Sequence, residues 1–302
     1  MPDALRAACA NMGIVYRDLP ADGRWHTTDI NGDPRGRGDG RIKLFSDGEG
    51  GIVCNWKSGE SLPFFADNGY SLTGAERTER ELKRQTRIRE VREKEDRCHA
   101  AARDRAQALW SAAPRVFWHP YLRRKRVRSH GLRQYHGDLV IAGMPCDGAL
   151  IVPARDTGGA IHTLEFIHTD KRFLPGGDYR ARYFAIGTPG DTLCIVEGYA
   201  SGATVHEATG HAVAVAFSAG NLTPVARALR AKYPAIKIIL CADNDRFTPG
   251  NPGVTSAAEA ARAVGGLIAV PRFPDLGPYD YYRGGAGQWL TELTSTTCAW
   301  ER

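Results

Sequence analysis

Between residues 191 and 270 the chain alternates apolar, strand-like runs with stretches of helical character, and this rhythm constrains the fold more than any other feature. DTLCIVEG leads into a helix through about Glu207, and HAVAVAFS into a helix from Asn221 to Lys232. IKIILCAD leads into the helix VTSAAEAARAVG, and LIAVPRF closes the series. Runs that are apolar on both faces leave no side for solvent, so they belong in a sheet covered by helices front and back. Strands separated by helices of about ten residues pair in parallel. The expectation is an α/β domain with a parallel, doubly covered sheet.

Two of these runs stop abruptly on acid. IVEGYASG (195–202) reaches Glu197, and IILCADNDR (238–246) reaches Asp243 and Asp245. In open sheets of this kind ligands bind outside the carboxyl ends of the strands. If the third strand persists to Asp245, its two aspartates share a face and Asn244 points away. Three carboxylates gathered at one sheet edge repel one another unless cations lie between them. Oxygen-only ligands suit Mg²⁺ or Mn²⁺, which share their remaining positions with water and phosphate. Capping of the following helices is the competing role for Glu197 and Asp243. Two acids at one strand end and Glu-Gly at another weigh against it.

A Glu-Gly after one strand and an Asp-x-Asp after another, on a small parallel sheet, resemble the toprim domain of bacterial primases, topoisomerases and related nucleases. EGYASG is similar to a motif of plasmid and phage primases, a branch related to DnaG. The likeness extends upstream through HPYLRRKRV, LIVPARDTGGAIHTLEFI and DKRFLPGG, covering roughly residues 106–275. The resemblance implies a toprim, Rossmann-like core over 191–302 with a C-terminal extension, preceded at 111–190 by a basic α+β primase subdomain that binds nucleotide and template. It implies a DNA primase that joins ribonucleotides into short RNA primers on single-stranded DNA, for plasmid or phage replication. Glu197, Asp243 and Asp245 would then be catalytic and hold Mg²⁺ or Mn²⁺, with Asp275 and Asp280 of PDLGPYD as further acids after the fourth strand. Lys171 and Arg172, with Arg180 and Arg182 of YRARYF, would bind nucleotide phosphates, and Gly198 would let backbone approach a phosphate closely. Ser201 stands near the place where DnaG carries another acid.

The stretch RRKRVRSHGLR (123–133) holds Arg123, Arg124, Lys125, Arg126, Arg128 and Arg133 with no acid. That density suits a polyanionic partner better than the overall net charge of +6 does. A single-stranded DNA template is the expected occupant, with Trp118 and Tyr121 available for base stacking. No GxxxxGK[ST] occurs, so a replicative helicase, or a helicase domain elsewhere, is a further candidate partner.

Residues 1–70 read as a small antiparallel β module, with runs such as RIKLF and GIVCNW between Gly/Asp turns. DnaG-like primases carry a zinc ribbon here, but Cys54 and His26 alone cannot complete a four-ligand site. No zinc is expected; Trp25, Phe45 and Trp56 are the expected core, and Arg24, Arg35, Arg37, Arg41, Lys43 and Lys57 candidate template contacts. Residues 71–110, charged and poor in apolar positions, read as a long linker helix, with Thr73 and Glu76 able to form a capping box. The seven cysteines are scattered, without a CxxC pair, which fits a reduced, cytoplasmic chain. No apolar run nears the ~20 residues of a membrane helix, and the N-terminus has no signal-peptide pattern. Two other readings remain open: a toprim nuclease using the same acids on water, and a non-catalytic module that binds single-stranded nucleic acid.

Overall fold

The computed structural model describes residues 1–32, 38–56, 60–66 and 74–271, the side chains of 74–77 and 80 excepted. Thr73, the Glu76 side chain, Arg35, Arg37, Lys57, Asp275 and Asp280 lie outside the described set. The chain divides into two compact units, Met1–Arg97 and Cys98–Arg302.

The first unit begins with a helix that the turn-rich sequence did not suggest, α1 (Pro2–Asn11). Strands β1 (Trp25–Thr28), β2 (Gly40–Leu44), β3 (Gly50–Asn55) and β4 (Glu60–Phe65) follow as an antiparallel meander. Alternation along β2 turns Ile42 and Leu44 inward, where they meet Leu5, Ala8 and Cys9 of α1 with Ile14, Val53 and Phe64. The aromatic residues expected to form this core do not. Trp25 and Trp56 are 50% and 57% exposed, and Phe45 pairs with Phe65 beyond the strand end. Arg41 lies over the Trp56 ring, so that aromatic faces a cation instead of a core. The charged stretch forms one helix, α2 (Gly74–Ala112), and the division between the units falls within it.

In the second unit α3 (Pro120–Lys125) is capped by the His119 ring, which accepts from the Tyr121 N–H at 3.1 Å. Strands β5 (Arg133–Gln134), β8 (Leu150–Arg155), β9 (Ile161–Ile167) and β10 (Lys171–Phe173) form an antiparallel sheet in the order β10-β9-β8-β5. Between β5 and β8 lies the small ribbon β6 (Val140–Ile141) and β7 (Met144–Pro145). The β8–β9 hairpin turns at Asp156, whose carboxylate accepts from the Gly158 and Ala160 N–H groups, as the Asp-Thr-Gly-Gly sequence suggests.

The alternating region folds as expected, with one addition. β12 (Thr192–Val196), β13 (Ala212–Val215), β14 (Lys237–Cys241) and β15 (Leu267–Ala269) are parallel, and β11 (Phe184–Ile186) adds an antiparallel edge beside β13. Helices α4 (Tyr199–Thr209), α5 (Leu222–Lys232) and α6 (Pro252–Val264) connect the parallel strands. One face, with Leu193, Ile195, Ala214 and Leu240, packs on α5 and α6. The other, with Cys194, Val196, Val215 and Cys241, packs on Tyr199 and Ala203 of α4 and on Leu150, Val152 and Ile167 of the antiparallel sheet. The sheet order β11-β13-β12-β14-β15 sends the chain to opposite sides of β12, so the carboxyl end of β12 is a topological switch point.

Candidate active site

Glu197 is the first residue beyond β12, at that switch point. Val196 pairs with Cys241 of β14, so the next residues of both chains emerge one strand spacing apart, about 4.8 Å. β14 ends at Cys241, short of the acids: the Ala242 N–H donates to the Ala269 carbonyl at 2.9 Å, and Asp243 and Asp245 stand in the loop that follows. The shared strand face expected for them is therefore replaced by a pinned loop. The Asn251 amide accepts from the Asp245 N–H at 2.9 Å and donates to Asn244 Oδ1 at 2.8 Å. Asn244 in turn donates to the Pro271 carbonyl at 2.8 Å. Gly253 permits this turn, because a Cβ there would collide with the Asp243 carbonyl and lie 3.1 Å from Asp245 Oδ2.

None of these acids caps a helix. The N-cap of α4 is Gly198 and that of α6 is Asn251. The carboxylates instead act on each other. Burial first, then the Asp243 and Asp245 charges, push Glu197 from its ordinary 4.5 up to about 7, against the pull of Lys171 and a hydrogen bond from the Ala219 N–H. Burial likewise raises Asp243, partly offset by the Ser201 hydroxyl, which donates to Asp243 Oδ1 at 3.2 Å. Ser201 thus supports Asp243 and adds no further acid of its own.

Lys171 stands among these groups, although its strand belongs to the other sheet. Its Nζ lies 3.7 Å from where a Gly198 Cβ would be. Protein crowded around the ammonium lowers its pKa, but Glu165, the Tyr121 phenol, Glu197 and Asp243 together leave it raised, so the ammonium stays charged. Lys125, placed by sequence with the template contacts, is also drawn in: burial and the Lys171 and Arg124 charges lower it, while Asp243 raises it.

Arg172 and Arg182 turn toward acids of their own loops, Asp170 at 2.7 Å and Asp178 at 3.5 Å. Arg180 is exposed, its backbone N–H held by Asp178. This segment is tied to the toprim-like sheet by buried Asn221, which accepts from the Ala181 N–H and donates to the Tyr179, Arg182 and Ala216 carbonyls. Of the basic run, Arg123, Arg124, Arg126 and Arg128 are exposed. Arg133 is spent elsewhere: its Nη1 donates to the Trp110, Ser111 and Ala113 carbonyls and closes the end of α2. Tyr121 is buried and cannot stack on a base, whereas Phe117 and Trp118 are 87% and 66% exposed. No acid occurs between Asp104 and Asp138, so this aromatic pair lies in a purely cationic stretch.

Asn221, Gly253, Asn251 and Glu165 escaped the sequence reading. Glu165 alone had a local signal, an acid inside the apolar run IHTLEFI. Among the described residues, no three acids, histidines or cysteines stand together closely enough to enclose an ion by themselves.

Residues 191–271 match the family model described as Toprim domain. This segment is a toprim domain. Glu197, Asp243 and Asp245 all fall within the matched residues. Over a longer span the chain is similar to two Escherichia coli proteins named DNA primase TraC. One is 34% identical over 291 residues, 90% of this chain and 26% of that protein; the other is 31% identical over 268 residues, 83% of this chain and 18% of that protein. The chain therefore spans about a quarter or less of the length of these relatives. Solved structures overlap it more loosely. A DnaG primase catalytic domain bound to single-stranded DNA covers 65% of this chain and 78% of its own, with 14% identity and a TM-score of 0.41. The Aquifex aeolicus primase zinc-binding and RNA polymerase domains cover 96% and 82%, with 12% identity and a TM-score of 0.41.

Proposed function

We propose that this chain is a DNA primase catalytic region, making short RNA primers on single-stranded DNA by metal-dependent nucleotidyl transfer in plasmid or phage replication. The observation that carries this reading is the switch point at the carboxyl end of β12, where Glu197 emerges beside the Asp243–Asp245 loop after β14 and Lys171 Nζ reaches Gly198; burial first, then the neighbouring acid charges, raise Glu197 to about 7. The donors are all oxygen, and Mg²⁺ or Mn²⁺ needs only one or two carboxylates beside water and substrate phosphate, so the residues fit such an ion. Asp243 and Asp245 would hold it, with Glu197 beside them. When bound, a divalent ion supplies a lowered pKa at the attacking 3′-hydroxyl and neutralises charge at the phosphate.

The chain's own groups do the rest. The Lys171 ammonium binds triphosphate oxygens at the place where charge develops, and Lys125 adds a second positive charge nearby. Glu197, near 7, can take up the hydroxyl proton at neutral pH. Ser201 and the Asn244–Asn251 pair keep the acid loop in place. Phe117 and Trp118 stack template bases, and Arg123, Arg124, Arg126 and Arg128 contact its phosphates. Single-stranded DNA and ribonucleoside triphosphates are the ligands, a replicative helicase is a further partner, and the cytoplasm is the compartment. No described helix is long and apolar enough to cross a membrane.

The test is primer synthesis on single-stranded DNA with labelled ATP, the other ribonucleotides and Mg²⁺ or Mn²⁺, beside Asp243→Ala. Template-dependent oligoribonucleotides that vanish in the variant support the reading. Shortened template without new product points to a nuclease, and neither result with either metal overturns the enzyme.

A further inference from the structure

Glu165 is only 3% exposed, in a strand whose remaining buried positions are Ile, Leu, Phe and one Thr. Burial raises the pKa of a carboxyl withdrawn from water this far, and the Lys171 charge pulls it back toward the ionised form. The β9–β10 register places that lysine. Phe173 lies directly opposite Glu165, and Lys171, two residues earlier, is its diagonal neighbour on the same face. That face also carries Val152, opposite Glu165 on β8, and Ile167, opposite Lys171; both pack with Tyr121 and with Val196 of the toprim sheet. Glu165 therefore lies on the side of its sheet that is turned toward the metal-site strands.

Lys171 needs such a partner. It sits on a three-residue edge strand, so its backbone alone does not keep a flexible four-carbon stem pointed at Gly198. Around its ammonium stand Tyr121 from α3, Glu165 from β9, and Glu197 and Asp243 from the toprim edge, with Lys125 the neighbouring cation. Glu197 and Asp243 would be engaged with a metal ion during turnover. Glu165, buried on the far side and outside that set, remains to hold the lysine when they are.

We propose that Glu165 is a positioning residue whose buried carboxylate holds the Lys171 ammonium over the toprim acids, ready to receive the anionic oxygens of a triphosphate. The assignment of triphosphate as ligand rests on the reading under Proposed function; the pairing of Glu165 with Lys171 does not. An ammonium placed before substrate arrives needs no reorganisation on binding, so its loss falls on nucleotide affinity more than on the chemical step.

Two measurements on Glu165→Gln and Glu165→Asp test this. In the first, lysines carry ¹³C-methyl groups, and the Lys171 resonance is identified by its absence in Lys171→Arg. The expected result in Glu165→Gln is a Lys171 titration moved down by about one unit, and partial recovery in Glu165→Asp. In the second, the KM for ribonucleotide in primer synthesis rises about tenfold in Glu165→Gln while kcat changes less than about threefold. A Lys171 titration unchanged in Glu165→Gln overturns the proposal, even if the variant melts earlier, because then Glu165 only fills space. Should the wild-type chain make no primers, the primase reading fails, and the Lys171 resonance still decides this inference.

Discussion

At Glu197 the protein holds a carboxyl where its charged form is least comfortable, and the consequence is a pH dependence of defined sign. Its pKa lies near 7 in the folded chain against an ordinary 4.5, so the folded state binds a proton that the unfolded state releases between those values. This group's contribution to stability is full below 4.5 and is lost as pH rises through 7, on the order of 3 kcal/mol in all. Metal-free Glu197→Gln should therefore melt higher than the wild type at pH 8, with the difference shrinking toward pH 5. Equal melting curves at both pH values would contradict the raised pKa of Glu197. Metal binding follows the opposite slope, because the ion requires the deprotonated carboxylates. Mn²⁺ affinity, read by calorimetry, should weaken from pH 8 to pH 6 in the wild type and change less in Glu197→Gln.

Among the elements, the loops beside the sheet carry as much of the site as the strands do. Asn221 joins the Tyr179–Arg182 segment to the residues following β13, two positions from the Ala219 N–H that reaches Glu197. Asn221→Ala leaves several backbone groups unpaired and should cost about 2–3 kcal/mol in denaturant unfolding. Gly253→Ala should cost about 1–3 kcal/mol by overpacking against the Asp243 carbonyl, and should weaken metal binding as well. Arg133 differs from the rest of its basic run: Arg133→Ala should lower stability, because the end of α2 loses its donor, and leave the salt dependence of DNA binding unchanged. Arg123→Ala with Arg124→Ala should flatten that salt dependence by about two phosphate contacts and leave stability alone. These distinctions mark what the sequence could show. The β–α alternation was legible because each strand and helix repeats its own period locally, and the carboxylates were legible because they interrupt it. The end of β14 was not, since it depends on Ala242 bonding to β15 and Asn251 reaching back across six residues. Arg133 read as a template contact because a charge run does not say which carbonyls its members meet. Glu165 was passed over because Lys171, its diagonal neighbour, lies on another strand.

For the whole molecule, the candidate site belongs to the Cys98–Arg302 unit, which contains the residues that match the toprim model and the Lys171 strand, while Met1–Arg97 carries its own core. α1 was illegible in advance because it starts at Met1 without a side-chain cap and buries only Leu5, Ala8 and Cys9. Those three residues displaced the tryptophans from the interior, because the one apolar face of the meander was already filled by a helix. The first unit is thus held by apolar packing, and a zinc chelator such as phenanthroline should leave its melting unchanged; loss of structure on chelation would contradict that account. The central claim concerns what the acids of the second unit do, and the most direct measurement compares wild type with Glu197→Gln in two assays on one template. Ribonucleotide incorporation should fall by at least about a hundredfold in the variant, while affinity for single-stranded DNA, measured without metal, stays within about twofold. A variant that incorporates nucleotide as well as the wild type, or a wild type that binds DNA and incorporates nothing with either Mg²⁺ or Mn²⁺, would contradict it.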